Sequence, residues 1–319
     1  MPTKPHPVRG YLYIGAATFF WGISATLGRA VFTGRWMPGG EALRPIDPLI
    51  LAQSRTTVSL LVLLPILLVQ RGARGLRLPG RDLLQTALLG VLGVAASNYF
   101  YYLAIQRTNV ATAIILQYTA PVWVLLYMVS RRLQKPTAHR VAAVGLAVLG
   151  CALAIGLVGA GGFRIDPLGL TAAMLAAFSF SFYNIGGHSI LARYDRWRIL
   201  VYTLASAALF WSILNPPWKI AAAHYGPNQW LFLLLFAIAS VLLPFSLYFS
   251  GLQHLDATRA VVASCLEPVF SIAIAAVVLG EVMRPLQTVG IVVVLVAIVL
   301  VQLPDRQRKE ELTVVEPME

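Results

Sequence analysis

Apolar residues run through this chain in long blocks of about 20, separated by short segments rich in Arg, Pro and Gly. A hydrocarbon core about 30 Å thick is crossed by about 20 helical residues, so each block predicts one membrane-spanning helix. Ten blocks qualify: residues 10–33, 49–70, 82–105, 109–129, 138–158, 167–191, 199–215, 229–252, 257–279 and 284–303. The seventh is the shortest, cut off by Asn215, Pro216 and Pro217. The first follows Lys4 and Arg9 as a signal peptide would. It is too long for one and lacks a small-x-small cleavage site, so it reads as a retained span. The pattern predicts an all-α integral membrane protein with ten transmembrane helices.

The chain also repeats itself. Residues 102–121 read YLAIQRTNVATAIILQYTAP and residues 249–268 read FSGLQHLDATRAVVASCLEP. An offset of 147 carries Gln106 to Gln253, Asn109 to Asp256, Ala113 to Ala260 and Pro121 to Pro268. In both copies a helix ends near the Gln, and Asn109 or Asp256 stands where an N-cap would satisfy free backbone N–H groups. A second offset, 159, pairs Gly10, Trp21 and Gly28 with Gly169, Phe180 and Gly187. The expected division is therefore residues 1–160 and 161–303, five helices each, followed by a tail over 304–319. Five is odd, so the second unit starts on the opposite side of the membrane from the first. Such inverted repeats mark secondary transporters, in which one packing arrangement seen from both sides gives inward-open and outward-open states.

Composition agrees: 58% of residues are hydrophobic and 12% charged, too apolar for a soluble core. The net charge of +12 could suggest nucleic acid, but position decides otherwise. With the N-terminus inside, 16 Lys and Arg residues fall on the cytoplasmic side and 6 on the other. Such an imbalance orients a polytopic protein. It predicts both termini in the cytoplasm and, with short loops, a prokaryotic inner membrane; nucleic acid is not expected as a partner. Cys151 and Cys265 lie in apolar blocks and imply no disulfide framework. No G-x-x-x-x-G-K-[ST] phosphate loop and no H-E-x-x-H zinc motif occurs, so neither an ATP-driven pump nor a metalloenzyme is indicated. No cofactor or metal is expected.

The chain resembles the EamA-type, ten-helix members of the drug/metabolite transporter superfamily over about residues 10–303. The residues that carry the resemblance are Trp21-Gly22, Asp47-Pro48, Arg55, residues 104–121, Leu266-Glu267-Pro268 and Leu279-Gly280-Glu281. Two features depart from it: Leu133-Gln134 stands where the second half has Gly280-Glu281, and the loop over 34–48 is long and contains Trp36. The resemblance implies export of amino acids or other small metabolites, with the aromatic amino acid exporters as the nearest subgroup.

Ionisable groups at membrane depth are costly and mark candidate sites. Glu267 is the one acid well inside a block, ten residues from the block's start, with Ser264 and Ser271 at helical spacing on its face. It reads either as a coupling or substrate-amine site, or as a carboxylate held by Arg or by backbone freed at Pro268. Arg55 could grip a substrate carboxylate through its fork of donors, or pin helices by pairing with a carbonyl or with Glu267. Arg29 and Arg259, near span ends, read as structural, and His188 as a hydrogen-bonded packing residue.

Aromatic and amide side chains gather in a few blocks: Trp21; Asn98, Tyr99 and Tyr102; Gln117, Tyr118 and Trp123; Phe180, Tyr183 and Asn184. Apolar walls with few polar groups suit a small amphipathic solute, although core packing explains single members equally well. Small residues at spacing four, Thr18 and Gly22 or Ala173, Ala177 and Ser181, allow close helix approach. The last block, apolar between Gly290 and Gln302, should face lipid or a second copy of the chain. The expected function is a secondary or facilitative exporter of small metabolites, foremost aromatic or neutral amino acids, working by alternating access. A sugar, nucleotide-sugar or cationic drug is the alternative cargo, and a non-transporting membrane sensor the alternative class.

Overall fold

The computed structural model describes residues 5–33, 46, 48–108, 110–155, 166–279 and 284–303. Trp36, Asp47, Asn109, Gly280 and Glu281 lie outside the described residues, as do the side chains of Arg29 and Gln106 and the segment 304–319. Among the described residues there are helices and turns but no strand. In chain order the helices are α1 (Pro7–Thr33), α2 (Pro48–Leu76), α3 (Gly80–Leu88), α4 (Ala96–Arg107), α5 (Val110–Gln117), α6 (Ala120–Ser130), α7 (Ala138–Ile155) and α8 (Pro167–Leu191). They continue with α9 (Arg196–Leu214), α10 (Pro217–Ala222), α11 (Pro227–Ala237), α12 (Leu243–Leu252), α13 (Ala257–Ser264), α14 (Leu266–Leu279) and α15 (Pro285–Val301). Among the described residues, eight stretches are long and apolar enough to cross a membrane, and α15 is a shorter apolar helix of 17 residues. The chain is a multi-pass helical membrane protein.

Two expected spans are broken. The blocks over 109–129 and 257–279 each form two helices, with turns at Tyr118-Thr119 and at Cys265. The cause is proline. Pro121 and Pro268 lack an N–H and crowd the carbonyl four residues back; those carbonyls belong to Gln117 and Ser264, where α5 and α13 end. Hydroxyls beside the breaks bond carbonyls of the preceding turn: Thr119 donates to Leu116 O at 2.6 Å and Ser264 to Val261 O at 2.7 Å. Glu267 is thus not ten residues deep in a continuous helix but the second residue of α14. Ser264 belongs to the preceding helix.

Two further irregularities match each other. α3 passes into α4 through a π-helical stretch, Leu89–Ala95, and α11 into α12 through another, Ile238–Leu242. The offset of 147 carries the end of the first stretch to the end of the second. It also carries both ends of α5 to those of α13, and the start of α7 to the start of α15.

Packing follows the same correspondence. α1 packs chiefly on α12 and α14, while α8 packs on their counterparts α4 and α6 and also on α5. Gly10 approaches His254 and Leu255 so closely that a Cβ there would fall 2.6 Å from the Leu255 side chain. Its counterpart Gly169 meets Arg107 and Thr108, with a Cβ 2.5 Å from Thr108. Gly22 rests on Phe270 and Ser271. The expected N-cap at Asp256 is present, its Oδ1 accepting from Arg259 N at 2.9 Å.

At the shared end of α2, α3, α8 and α9, polar side chains tie the helix termini together. Asp82 accepts from Arg193 Nη1 and from the Tyr194 hydroxyl, both at 2.6 Å, and Arg71 pairs with Asp195. The hydrogen bond to Asp82 raises the Tyr194 phenol above its ordinary range. Cys151 and Cys265 are free and buried.

α7 and α15 lie along one another with Gly150 against Gly290. A Cβ on Gly290 would stand 2.3 Å from Ala154 N and 2.7 Å from Gly150 O, both backbone atoms that cannot swing aside. Gly290→Val should therefore destabilise the protein by about 1–3 kcal/mol through overpacking, read as a lower unfolding temperature in detergent. Gly145→Ala, with no atom within 4 Å of the new Cβ, should leave it unchanged. An unshifted Gly290→Val would contradict the close α7–α15 contact.

Candidate transport site at the two helix breaks

The breaks bring polar groups from distant segments together. Tyr118, in the turn between α5 and α6, hydrogen-bonds Glu267 at the start of α14. Arg55 of α2 faces the same carboxylate electrostatically, and its Nη2 donates to Asn98 Oδ1 of α4 at 2.7 Å. Asn98 Nδ2 in turn donates to Val94 O at 2.8 Å, within the π-helical stretch. Opposite, the Tyr248 hydroxyl of α12 donates to Asn184 Oδ1 of α8 at 2.5 Å, and Asn184 Nδ2 donates to Phe180 O. Tyr248 also lies within hydrogen-bond reach of Ser264 and within the field of Glu267.

Aromatic rings enclose this centre. Tyr248 has Trp21 at 5.3 Å, Tyr183 at 6.0 Å and Phe180 at 6.4 Å between ring centroids. Phe245 adds contacts to Trp21 and Tyr183, and Phe249 stacks on Tyr183 at 5.4 Å. Trp21 and Phe180, paired by the 159 offset, thus flank one tyrosine. Tyr183, Asn184 and Tyr248 are at most 1% exposed, so in this conformation the rings fill the space between them. A solute reaches them only if the helices move.

The remaining candidates sit as follows. Tyr99 and Tyr102 are half-buried against the main core, with Tyr99 edge-on to Phe100 and Tyr102 tilted against Tyr101. Gln117 is half-buried at the end of α5. Trp123 packs on Phe178 at 4.5 Å and donates to Thr119, which removes it from the polar centre. His188 bonds Leu252 O through Nδ1 at 3.2 Å, the packing role expected of it. Arg259 pairs with Asp256 at 3.5 Å. Sequence reasoning missed Tyr248, Phe245 and Phe249. The 147 offset maps Tyr248 onto Tyr101 and Phe245 onto Asn98, so the signal was present in the repeat.

Discontinuous membrane helices that gather polar groups at their breaks are a feature of secondary-transporter folds. The EamA-like transporter family model matches residues 8–156 and again residues 167–303, and the chain belongs to that family. YicL of Salmonella typhimurium, described as an uncharacterized inner membrane transporter, is 24% identical over 230 residues, 72% of this chain and 76% of that one. The threonine/homoserine exporter RhtA of Escherichia coli K12 is 25% identical over 265 residues, covering 81% and 85% of the two chains. A solved crystal structure superposes with a TM-score of 0.72 at 18% identity, over 92% of this chain and 97% of that one; it shares the fold.

The facing charges generate a double-variant test. A buried ion that loses its partner costs about 3–5 kcal/mol. Arg55→Met alone should therefore destabilise strongly, and adding Glu267→Gln should recover at least about 1 kcal/mol, read by chemical unfolding in micelles. Strictly additive losses would show that the two charges do not compensate each other.

Proposed function

We propose that this chain exports neutral amino acids, aromatic ones foremost, across the inner membrane by alternating access. The observation that carries the reading is a polar group at the two helix breaks, Arg55 bonded to Asn98 and in the electrostatic field of Glu267, next to the Trp21–Phe180–Tyr248 ring cluster. A zwitterion can replace each partner for the other: its carboxylate takes the guanidinium, its ammonium takes Glu267, and its side chain lies among Trp21, Phe180 and Tyr248. Asn98, Tyr118 and Asn184 supply directional hydrogen bonds, while Tyr99, Tyr102, Gln117 and Tyr183 complete the walls. The similarity to RhtA, a threonine/homoserine exporter, supports amino acids as the cargo class.

Ten membrane helices in two inverted units, residues 1–160 and 161–303, with both termini cytoplasmic, form the framework of this proposal. It is supported by the matched π-helical stretches, the matched helix breaks and the reciprocal packing of α1 and α8. The family matches also begin 159 residues apart and end 147 apart, the two offsets of the repeat. Glu267 serves as the group that exchanges a proton or an ammonium during the cycle.

The test is counterflow in proteoliposomes with aromatic and other neutral amino acids, against sugars and quaternary amines. We expect saturable amino acid exchange, reduced at least tenfold by Arg55→Met, and a pH dependence of flux that flattens in Glu267→Gln. Flux of sugars or quaternary amines without amino acids would discard the cargo. Equal pH dependence in wild type and Glu267→Gln would remove the coupling role.

A further inference from the structure

Away from the centre, a cleft of about 330 Å³ opens where α1 and α13 begin and α15 ends. Pro7, Val8, Tyr11, Leu12, Arg259 and Gln302 line it. Because all three helices terminate here, the cleft lies at a membrane–water boundary of the bundle. Its walls divide by chemistry. Val8 and Leu12, one turn apart, are 62% and 69% exposed and form an outward apolar rail. On the inner side the Tyr11 hydroxyl is buried and has no hydrogen-bond partner. The Arg259 guanidinium meets Asp256 Oδ2 only as a loose ion pair, 3.5 Å from Nε, which itself has no hydrogen-bond partner, while Asp256 Oδ1 is occupied in capping α13. Gln302 commits one amide hydrogen to Ile298 O at 3.0 Å.

A guanidinium and a waiting phenol at the water boundary, beside an apolar rail running toward the hydrocarbon, fit an anionic amphiphile. A soluble anion leaves the rail unused, and an uncharged chain leaves the donors unused. Basic pockets between helices at this depth hold lipid phosphates, and Arg places its charge there while its stem stays on apolar surface. We propose that this cleft is a binding site for an anionic phospholipid, with the phosphate on Arg259 and Tyr11 and an acyl chain along Val8 and Leu12.

The test is native mass spectrometry of the full chain, released from micelles doped with phosphatidylglycerol or phosphatidylcholine of equal chain length. We expect at least threefold greater occupancy by phosphatidylglycerol in wild type. The preference should be lost in Arg259→Gln, retained in Arg259→Lys and halved in Tyr11→Phe, each checked for an unchanged unfolding temperature. Equal occupancy by the two lipids, or a preference that survives Arg259→Gln, would overturn the proposal. Displacement of phosphatidylglycerol by millimolar inorganic phosphate would overturn it in favour of a soluble anion. If Arg259→Gln fails to fold, Tyr11→Phe decides, and an undiminished preference there counts against the site.

Discussion

Inside hydrocarbon every backbone N–H and C=O must find its partner within the protein, because each unsatisfied group costs several kcal/mol. Among the described residues, two prolines end a helix in the middle of a span, whereas Pro65 is carried inside α2. Pro121 and Pro268 each remove a helical hydrogen bond and turn away a carbonyl, and such breaks survive only where other protein groups surround them. The sites of the breaks therefore dictate what is interior. Tyr118 and Glu267 sit beside them, and α2, α4, α8 and α12 supply the polar partners that close around them. The charged centre is a consequence of where the backbone had to be enclosed.

Enclosure demands close helix approach, and glycine supplies it. Gly10 on His254 and Leu255, Gly169 on Arg107 and Thr108, and Gly22 on Phe270 and Ser271 bring α1 and α8 against the hairpins that carry the breaks. In lipid, packing and interhelical hydrogen bonds rather than apolar burial hold helices together. Contacts of this kind tolerate sliding better than interlocked large side chains do. The α7–α15 pair, sealed at Gly150 and Gly290, stands outside this arrangement and presents Val289, Val292, Val296 and Val299 outward.

The helical membrane class was plain in the sequence, and residues 167–191, read as the sixth block, coincide with α8. Length and apolarity determine a span, and both are visible without structure. Glu267, Tyr118, Arg55 and Asn98 were also recognisable, because a polar residue in an apolar block has few explanations. The breaks were not recognised: a proline inside a hydrophobic run can kink a helix or end it, and only surrounding protein decides which. Whether Trp21, Phe180 and Tyr183 line an open space or pack together was equally hidden, since it depends on how far neighbouring helices approach. Trp123 shows the limit: it shares the composition of the site and packs on Phe178 instead.

The π-helical stretches set which faces α4 and α12 present to their neighbours. A π turn closes i to i+5 and inserts one residue beyond the α repeat. Every side chain after it is rotated by about 100° relative to an unbroken α-helix. Asn98 follows Leu89–Ala95 by three residues, and Phe245 follows Ile238–Leu242 by three. Without the inserted residue, Asn98 would point away from Arg55, and Tyr248 away from Asn184. The bonds at 2.7 and 2.5 Å that join α2 to α4 and α8 to α12 thus depend on two local distortions placed one repeat apart.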